Sequence, residues 1–146
     1  MGWFSRRQQP DVVDDSEVAK EMRKLADAFI SGIAAEGWNF GWDSAEVSRL
    51  DDLCDGLDND NPEMRHSVIM AMGAYLGELM VRCGGGSWSY DPQERAAVVD
   101  MPNGLRAHPH NKVAKRLNSG PQHSLIQFYQ HSLTRDVPPG SKLRQI

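Results

Sequence analysis

One segment, residues 62–82, constrains the fold of this chain more than any other. A surface helix carries a single apolar stripe. Gly73 and Gly77 lie within this segment, although glycine inside a helix costs roughly 1 kcal/mol relative to alanine. We therefore predict a central helix that is buried on more than one side and closely approached by another element at its glycines. The apolar residues that cover most of its girth are Val68, Met72, Tyr75, Leu76, Leu79 and Met80.

Two amphipathic helices are predicted before the central one. Asp14 caps the first helix and Ser44 caps the second, while Asn61 and Pro62 suit the N-cap and the first position of the central helix. The apolar face of the first helix is predicted to comprise Val18, Met22, Leu25, Phe29 and Ile33. The inner face of the second is predicted to comprise Val47, Leu50, Leu53 and Cys54.

Three aromatic residues alternate between these two helices. Alternation places Trp38, Phe40 and Trp42 on one side of an extended segment. They either seal the core as an aromatic plug or form a platform for a sugar or a base. We favour the plug, because few polar residues lie nearby in the sequence.

The region after the central helix predicts a small sheet and two more helices. A glycine run, 84–86, ends the central helix, and Pro102-Asn103-Gly104 is typical of a tight turn between strands. The fold class is therefore α+β, with about five helices around a central buried helix (62–82) and a small three-stranded antiparallel meander (87–108). The expected elements are strands 87–90, 95–101 and 105–108, and helices 109–118 and Pro121 to about Thr134.

The chain is divided by composition into a flexible N-terminal arm (1–12), a single α+β domain (13–135) and a loose C-terminal tail (136–146). The arm lacks the apolar segment of a secretory signal. The longest apolar stretch, 68–81, is too short and too interrupted to span a bilayer. We expect a cytoplasmic protein without stable membrane anchoring.

Charge is distributed unevenly along the sequence. Residues 1–63 hold 15 acidic and 6 basic residues, whereas residues 64–146 hold 5 acidic and 10 basic residues. Either the two parts fold onto each other and attract, which we favour, or the basic part forms a binding face. Nucleic acid is not an expected partner, because the acidic part would repel its phosphates.

Several short motifs in the second part of the chain resemble those of a known group of proteins. The motifs are Gly73-Ala74-Tyr75-Leu76-Gly77-Glu78, Gly84-Gly85 with Trp88, Pro102-Asn103-Gly104-Leu105-Arg106, Lys112-Val113-Ala114-Lys115-Arg116-Leu117, and Ser124-Leu125 before Phe128-Tyr129. Their order resembles a family of actinobacterial proteins and a wider bacterial domain of unknown function. The resemblance covers about residues 62–130 and implies an α+β domain in a bacterial cytoplasm. It implies no activity.

Glu78 is the residue whose chemistry most needs explaining, because it lies in the most apolar helix and a lone buried charge is very costly. We predict that Glu78, Arg116 and Arg106 form one buried charged contact, which connects helix 62–82 to the helix that contains Arg116. Alternatively, Glu78 lies in the floor of a charged pocket between helix 62–82 and the sheet. The residues predicted to line that pocket are Tyr75, Glu78, Trp88, Arg106, Lys115 and Arg116.

No catalytic motif is recognisable in the sequence. The five histidines and two cysteines lack the spacing of a metal site, so neither a metal nor another cofactor is expected. The first functional hypothesis is a non-enzymatic protein-interaction domain, either an adaptor or an immunity-type partner of another protein. The alternative is a protein or enzyme that binds a small molecule or an anion in the pocket just described.

Overall fold

The computed structural model describes residues 14–57, 60–134 and 144–146. Within these residues the order of helices and strands confirms the predicted α+β class, with five helices and three antiparallel strands, to which a short fourth strand is added in parallel. The elements are α1 (Asp15–Ala34), α2 (Glu46–Gly56), α3 (Pro62–Gly84), β1 (Ser87–Asp91), β2 (Ala96–Asp100), β3 (Leu105–Ala107), α4 (Pro109–Ser119), α5 (Leu125–Thr134) and β4 (Arg144–Gln145).

Helix ends follow local side-chain chemistry. The Asp14 side chain accepts a hydrogen bond from the Ser16 amide at 2.8 Å, which caps α1 as predicted. Asn61 caps α3 in the same way, by accepting from the amides of Glu63 and Met64. The central helix ends at Gly85, whose φ of 76° is the left-handed conformation that glycine adopts easily.

Two predicted helix starts are wrong. Ser44 does not cap α2; instead the Asp43 carboxylate accepts from the Ala45 amide within a turn that leads into the helix. The last helix starts at Leu125 rather than at Pro121. Ser124 explains this later start, because its hydroxyl accepts from the Gln127 amide as an N-cap side chain does.

The central helix is α3, as predicted. It packs along α1 and α4 and touches the sheet, and its residues from Met72 to Met80 are all buried. A Cβ atom placed on Gly73 would lie 2.3 Å from the ring of His110, and one placed on Gly77 would lie 2.1 Å from the ring of Trp88. The glycines therefore allow two rings to approach the helix backbone, which confirms the predicted close contact.

The aromatic segment between α1 and α2 seals one side of this core. Phe40 is buried against Phe29 and Tyr75, with ring centroids 5.5 and 5.4 Å apart. Trp38 stacks on Phe40, and Trp42 packs against Tyr75. The Tyr75 hydroxyl donates to the Gly41 carbonyl at 2.6 Å. The contacts are those of the predicted plug.

The sheet has the strand order β1-β2-β3-β4. Antiparallel pairing aligns Trp88 with Val99 and Asp100 with Arg106. β4 adds a short parallel pairing to β3, in which the Ile146 amide donates to the Arg106 carbonyl at 2.9 Å. The prediction of a loose tail over 136–146 is therefore wrong for its last three residues, because their backbone hydrogen bonds extend the sheet. The predicted arm, 1–12, and residues 136–143 lie outside the described residues.

The close contact at Gly77 predicts the effect of adding one methyl group. Gly77→Ala should destabilise the protein by about 1–3 kcal/mol, because the new methyl overlaps the Trp88 ring and overpacking outweighs the helix-propensity gain. Gly32→Ala is a matched control on α1, where nothing lies within 4 Å of the added atom. It should stabilise by up to about 1 kcal/mol. Urea unfolding measures both changes, and a stabilised Gly77→Ala variant would contradict the packing.

Candidate functional site

Glu78 is buried on α3 and is satisfied by two neighbours. One carboxylate oxygen accepts from the indole nitrogen of Trp88 at 3.1 Å, and the other accepts from Arg82 at 2.9 Å. The Arg82 guanidinium carbon lies 3.7 Å from the ring centroid of Trp42 and is partly exposed. Glu78 thus links the central helix to strand β1 and to the aromatic plug.

Arg116 lies elsewhere, so the predicted Glu78–Arg116 pair is wrong. Its buried guanidinium donates to the Asp51 carboxylate at 3.0 Å and to the Asp55 carboxylate at 2.9 Å. Burial lowers the pKa of Arg116, but the two carboxylates more than offset this and raise it. The reason for the error is orientation: Arg116 faces α2, whereas Glu78 faces β1.

Arg106 forms a third, separate cluster on the sheet. It donates to both oxygens of Asp100, at 2.7 and 3.1 Å, and Ser89 donates to the same carboxylate. Burial raises the pKa of Asp100, but these hydrogen bonds lower it by more than burial raises it, so the net shift is downward. Arg106 is therefore engaged across neighbouring strands and does not reach Glu78.

The six predicted site residues do not line one pocket. Tyr75, Glu78 and Trp88 are buried in the core, and the Trp88 ring fills the space against Gly77 that the predicted pocket would need. Lys115 is exposed and lines a different cavity, beside α4. The functional alternative is thus wrong about the place of the pocket, although cavities exist elsewhere.

Two adjoining cavities meet at His110, a residue for which no role is predicted from the sequence. One, of about 600 Å³, lies beside α4 and β4, and the other, of about 480 Å³, lies between α1 and the β1–β2 hairpin. Their linings share Ala96, Ala97 and His110. One signal for this site is present in the sequence, because Gly73 leaves room for the His110 ring. Nothing in the sequence, however, indicates that these two residues are in contact.

His110 is held as a neutral ring. Its Nε2 lies 3.2 Å from the Met70 carbonyl, to which it donates in the corresponding tautomer. Burial lowers the pKa of His110 to about 4, although the carbonyls of Met70 and Ala97 oppose that shift. A neutral imidazole therefore forms the wall between the cavities at neutral pH.

A third concavity, of about 230 Å³, is an apolar groove between α1, the end of α2 and the start of α3. Phe29, Leu53 and Met72 form its buried part, and Met64 stands at its rim with 59% of its surface exposed. Met64 and Leu133 are the two exposed large hydrophobic side chains among the described residues. The remaining lining residues are Ala28, Gly32, Ile33, Leu57, Ser67, Val68 and Ala71.

The described residues offer no grouping of three His, Cys, Asp or Glu side chains that could hold a metal ion. Cys54 and Cys83 are free thiols. Cys54 is buried, and burial raises the pKa of its thiol to about 12, so it is protonated and not a nucleophile at neutral pH. Within the same part of the chain, no helix has the length and apolar character needed to cross a membrane.

Comparisons with protein families, curated proteins and solved structures found no match to this chain. The case for function therefore depends on the geometry of the cavities, the groove and the charged clusters.

The separation of the charged clusters predicts which pairs of mutations interact. Arg116→Met should destabilise by about 3–5 kcal/mol, because it leaves Asp51 without its buried partner. Adding Asp51→Asn should cost less than the sum of the single changes. Glu78→Gln combined with Arg116→Met should be additive. Chemical denaturation of the single and double variants measures both couplings, and a coupling of Arg116 to Glu78 would contradict the arrangement.

The His110 environment predicts a specific dependence of stability on pH. The ring has a pKa of about 4 in the folded protein and about 6.5 when unfolded, so acid favours the unfolded chain below pH 6.5. Between pH 7 and pH 5 this group alone should remove about 1.5–2 kcal/mol of stability. His110→Gln keeps a side-chain donor but does not titrate, so its stability should fall less over that range. Equal pH slopes would show that His110 is not kept neutral.

Proposed function

We propose that this protein is a non-enzymatic protein-interaction domain of the adaptor or immunity type, which binds a partner helix in the apolar groove beside Met64. The observation that carries the proposal is an exposed methionine, Met64, at the rim of an apolar concavity. Exposed apolar patches mark interaction sites, and methionine adapts its shape to different partners. We further propose that it acts in a bacterial cytoplasm, which agrees with two free thiols and with the resemblance of its motifs to bacterial proteins.

The shape of the groove favours a helix as the occupant. Its walls are two helices, α1 and α3, and apolar residues at helical spacing on each face the opening: Ala28 with Gly32, and Met64 with Val68 and Ala71. Small residues, Ala28, Gly32 and Ala71, leave room for inserted side chains. An amphipathic helix uses side chains at the same spacing to enter such grooves.

The charge around the groove favours a basic helix. Among the residues that the structure describes, three acidic residues are direct sequence neighbours of lining residues, against one arginine, Arg65. The acidic neighbours are Asp27, Asp52 and Glu63. Residues 1–63, which supply most of the lining, also carry the excess of acidic residues. Complementary charge on the partner would speed association and set its orientation.

A labelled synthetic helical peptide tests this proposal. The peptide carries leucines at i, i+4 and i+7 on one face and lysines on the other, and a second peptide replaces each lysine with glutamate. Fluorescence anisotropy should show that the lysine peptide binds at least tenfold more tightly. Met64→Gln, which removes the apolar anchor without changing charge, should weaken its binding at least fivefold. Equal binding of both peptides would contradict the charge argument.

Two further variants make the test specific to the groove. Gly32→Gln should also weaken binding, because its side chain enters the groove from an open position that tolerates it. Leu133→Gln is the matched control, since it removes the other exposed large hydrophobic residue and lies outside the groove. It should leave binding unchanged. Unchanged binding by Met64→Gln and Gly32→Gln, or a dimer of the chain that these variants dissociate, would overturn the proposal.

A further inference from the structure

The cavity between α1 and the β1–β2 hairpin has the features of a small-molecule site. Its volume of about 480 Å³ lies in the usual range of roughly 300–1,000 Å³ for such sites. Its apolar wall is formed by Val18 and Met22 of α1 and by Met70 of α3. Tyr90 adds an aromatic side chain, and Ala96 and Ala97 leave the space open because their side chains are small.

Two carboxylates stand at this cavity on α1. Glu17 and Glu21 are one helical turn apart, on either side of the wall residue Val18, and both are exposed. Neither forms an ion pair within the part of the chain that the structure describes. The same lining contains one cation, Arg95, which is likewise outside those ion pairs. The cavity is therefore apolar inside with an excess of negative charge at its entrance.

The position of Arg95 is unusual. Its φ of 51° makes it the one non-glycine residue in the left-handed region among the described residues. Asp91 organises this hairpin by accepting from the amides of Gln93 and Glu94, and the turn then reaches Arg95, where a glycine would fit without strain. Arg95 is thus the one cation among the residues that line this cavity, against the two carboxylates of α1.

The inner end of the cavity carries no positive charge. His110 forms the wall there, and it is neutral at physiological pH because of its burial. An apolar body would fill this cavity while its charged group stays at the entrance.

We propose that the cavity between α1 and the β1–β2 hairpin binds a small organic amine, with an apolar or aromatic body against Val18, Met22 and Met70 and its ammonium group beside Glu17 and Glu21. The site is separate from the apolar groove, which lies farther along α1. Ligand binding here is therefore a second function in addition to the proposed protein interaction.

A matched set of three probes tests the charge class. They are 2-phenylethylamine, 3-phenylpropionate and 2-phenylethanol, which share an aromatic body and differ in the charge of the head group. Isothermal titration calorimetry at low salt should show the amine binding at least tenfold more tightly than the carboxylate, with the alcohol between them. Equal affinities for amine and carboxylate, or no binding of the amine at millimolar concentration, would overturn the proposal.

Variants of the entrance should move the affinities in opposite directions. Glu21→Gln should weaken amine binding at least fivefold and leave the alcohol unchanged, because only the charge contact is lost. Asp27→Asn removes the same charge from α1 outside the cavity lining and should change amine binding less than twofold. Arg95→Gly should strengthen amine binding and weaken carboxylate binding, and it relieves the positive φ, so the variant should fold.

Two more variants place the probe in this cavity. Ala97→Leu places a larger side chain at a position that lines both cavities and should abolish binding of all three probes. Ala96→Leu repeats the test at the neighbouring lining position, in case the first variant fails to fold. Met64→Gln, in the groove, should leave amine binding unchanged, which separates the outcome from that of the peptide experiment. Amine binding that survives both alanine variants in folded protein would show that the probe binds elsewhere.

Discussion

The contact of two rings with the glycines of the central helix is the constraint on which the rest of the structure depends. Trp88 lies against Gly77 and His110 lies against Gly73, so the sheet and the start of α4 both meet α3 at its backbone. A Cβ atom on either glycine would overlap the approaching ring. The indole nitrogen of Trp88 is thereby brought to Glu78, which explains how a carboxylate can be buried in the most apolar helix. The same approach holds His110 between the two cavities.

The uneven charge of the sequence has a structural counterpart in Arg116. This residue belongs to the basic part of the chain, and both of its carboxylate partners, Asp51 and Asp55, belong to the acidic part. Asp51 also accepts from the Leu125 amide, so one acidic side chain joins α2 to α4 and α5. Attraction between the two parts of the chain, the interpretation favoured from the sequence, is realised in this cluster.

Sequence reasoning succeeded at several helix ends and glycine contacts, where the information was local, although the local signals at Ser44 and Pro121 were misleading. Caps at Asp14, Asn61 and Gly85 depend on residues within one helical turn, and the glycine contacts follow from the cost of glycine inside a helix. It failed for charge partners, because neither the spacing of charged residues along the chain nor the balance of charge shows the direction in which a side chain points. Arg82, one turn from Glu78, was available as a partner, but the direction of Arg116 toward α2 depends on how two distant helices pack.

The sites could not be predicted from the sequence, for a related reason. Each cavity is lined by several elements, and its existence depends on what the neighbouring side chains leave unfilled. The end of the chain could not be predicted for the same reason. β4 pairs with β3 through backbone hydrogen bonds, and a strand of two residues is too short to show an alternating side-chain pattern. The burial of Trp88 could be expected, because its side chain is large and apolar. Its position against Gly77 could not, and the ring occupies the space of the pocket predicted from the sequence.

The two proposed sites lie on one helix, and the packing of that helix decides whether they can influence each other. Val18 and Met22 of α1 form a wall of the cavity, and Phe29 and Ile33 form a wall of the groove. Ala26 lies between these pairs and is fully buried. A packed interior resists small displacements, so a ligand in the cavity can affect the groove only by moving α1 as a unit along α3. Because α3 also contributes to both linings, such a movement would change both sites together, whereas a fixed α1 makes them independent.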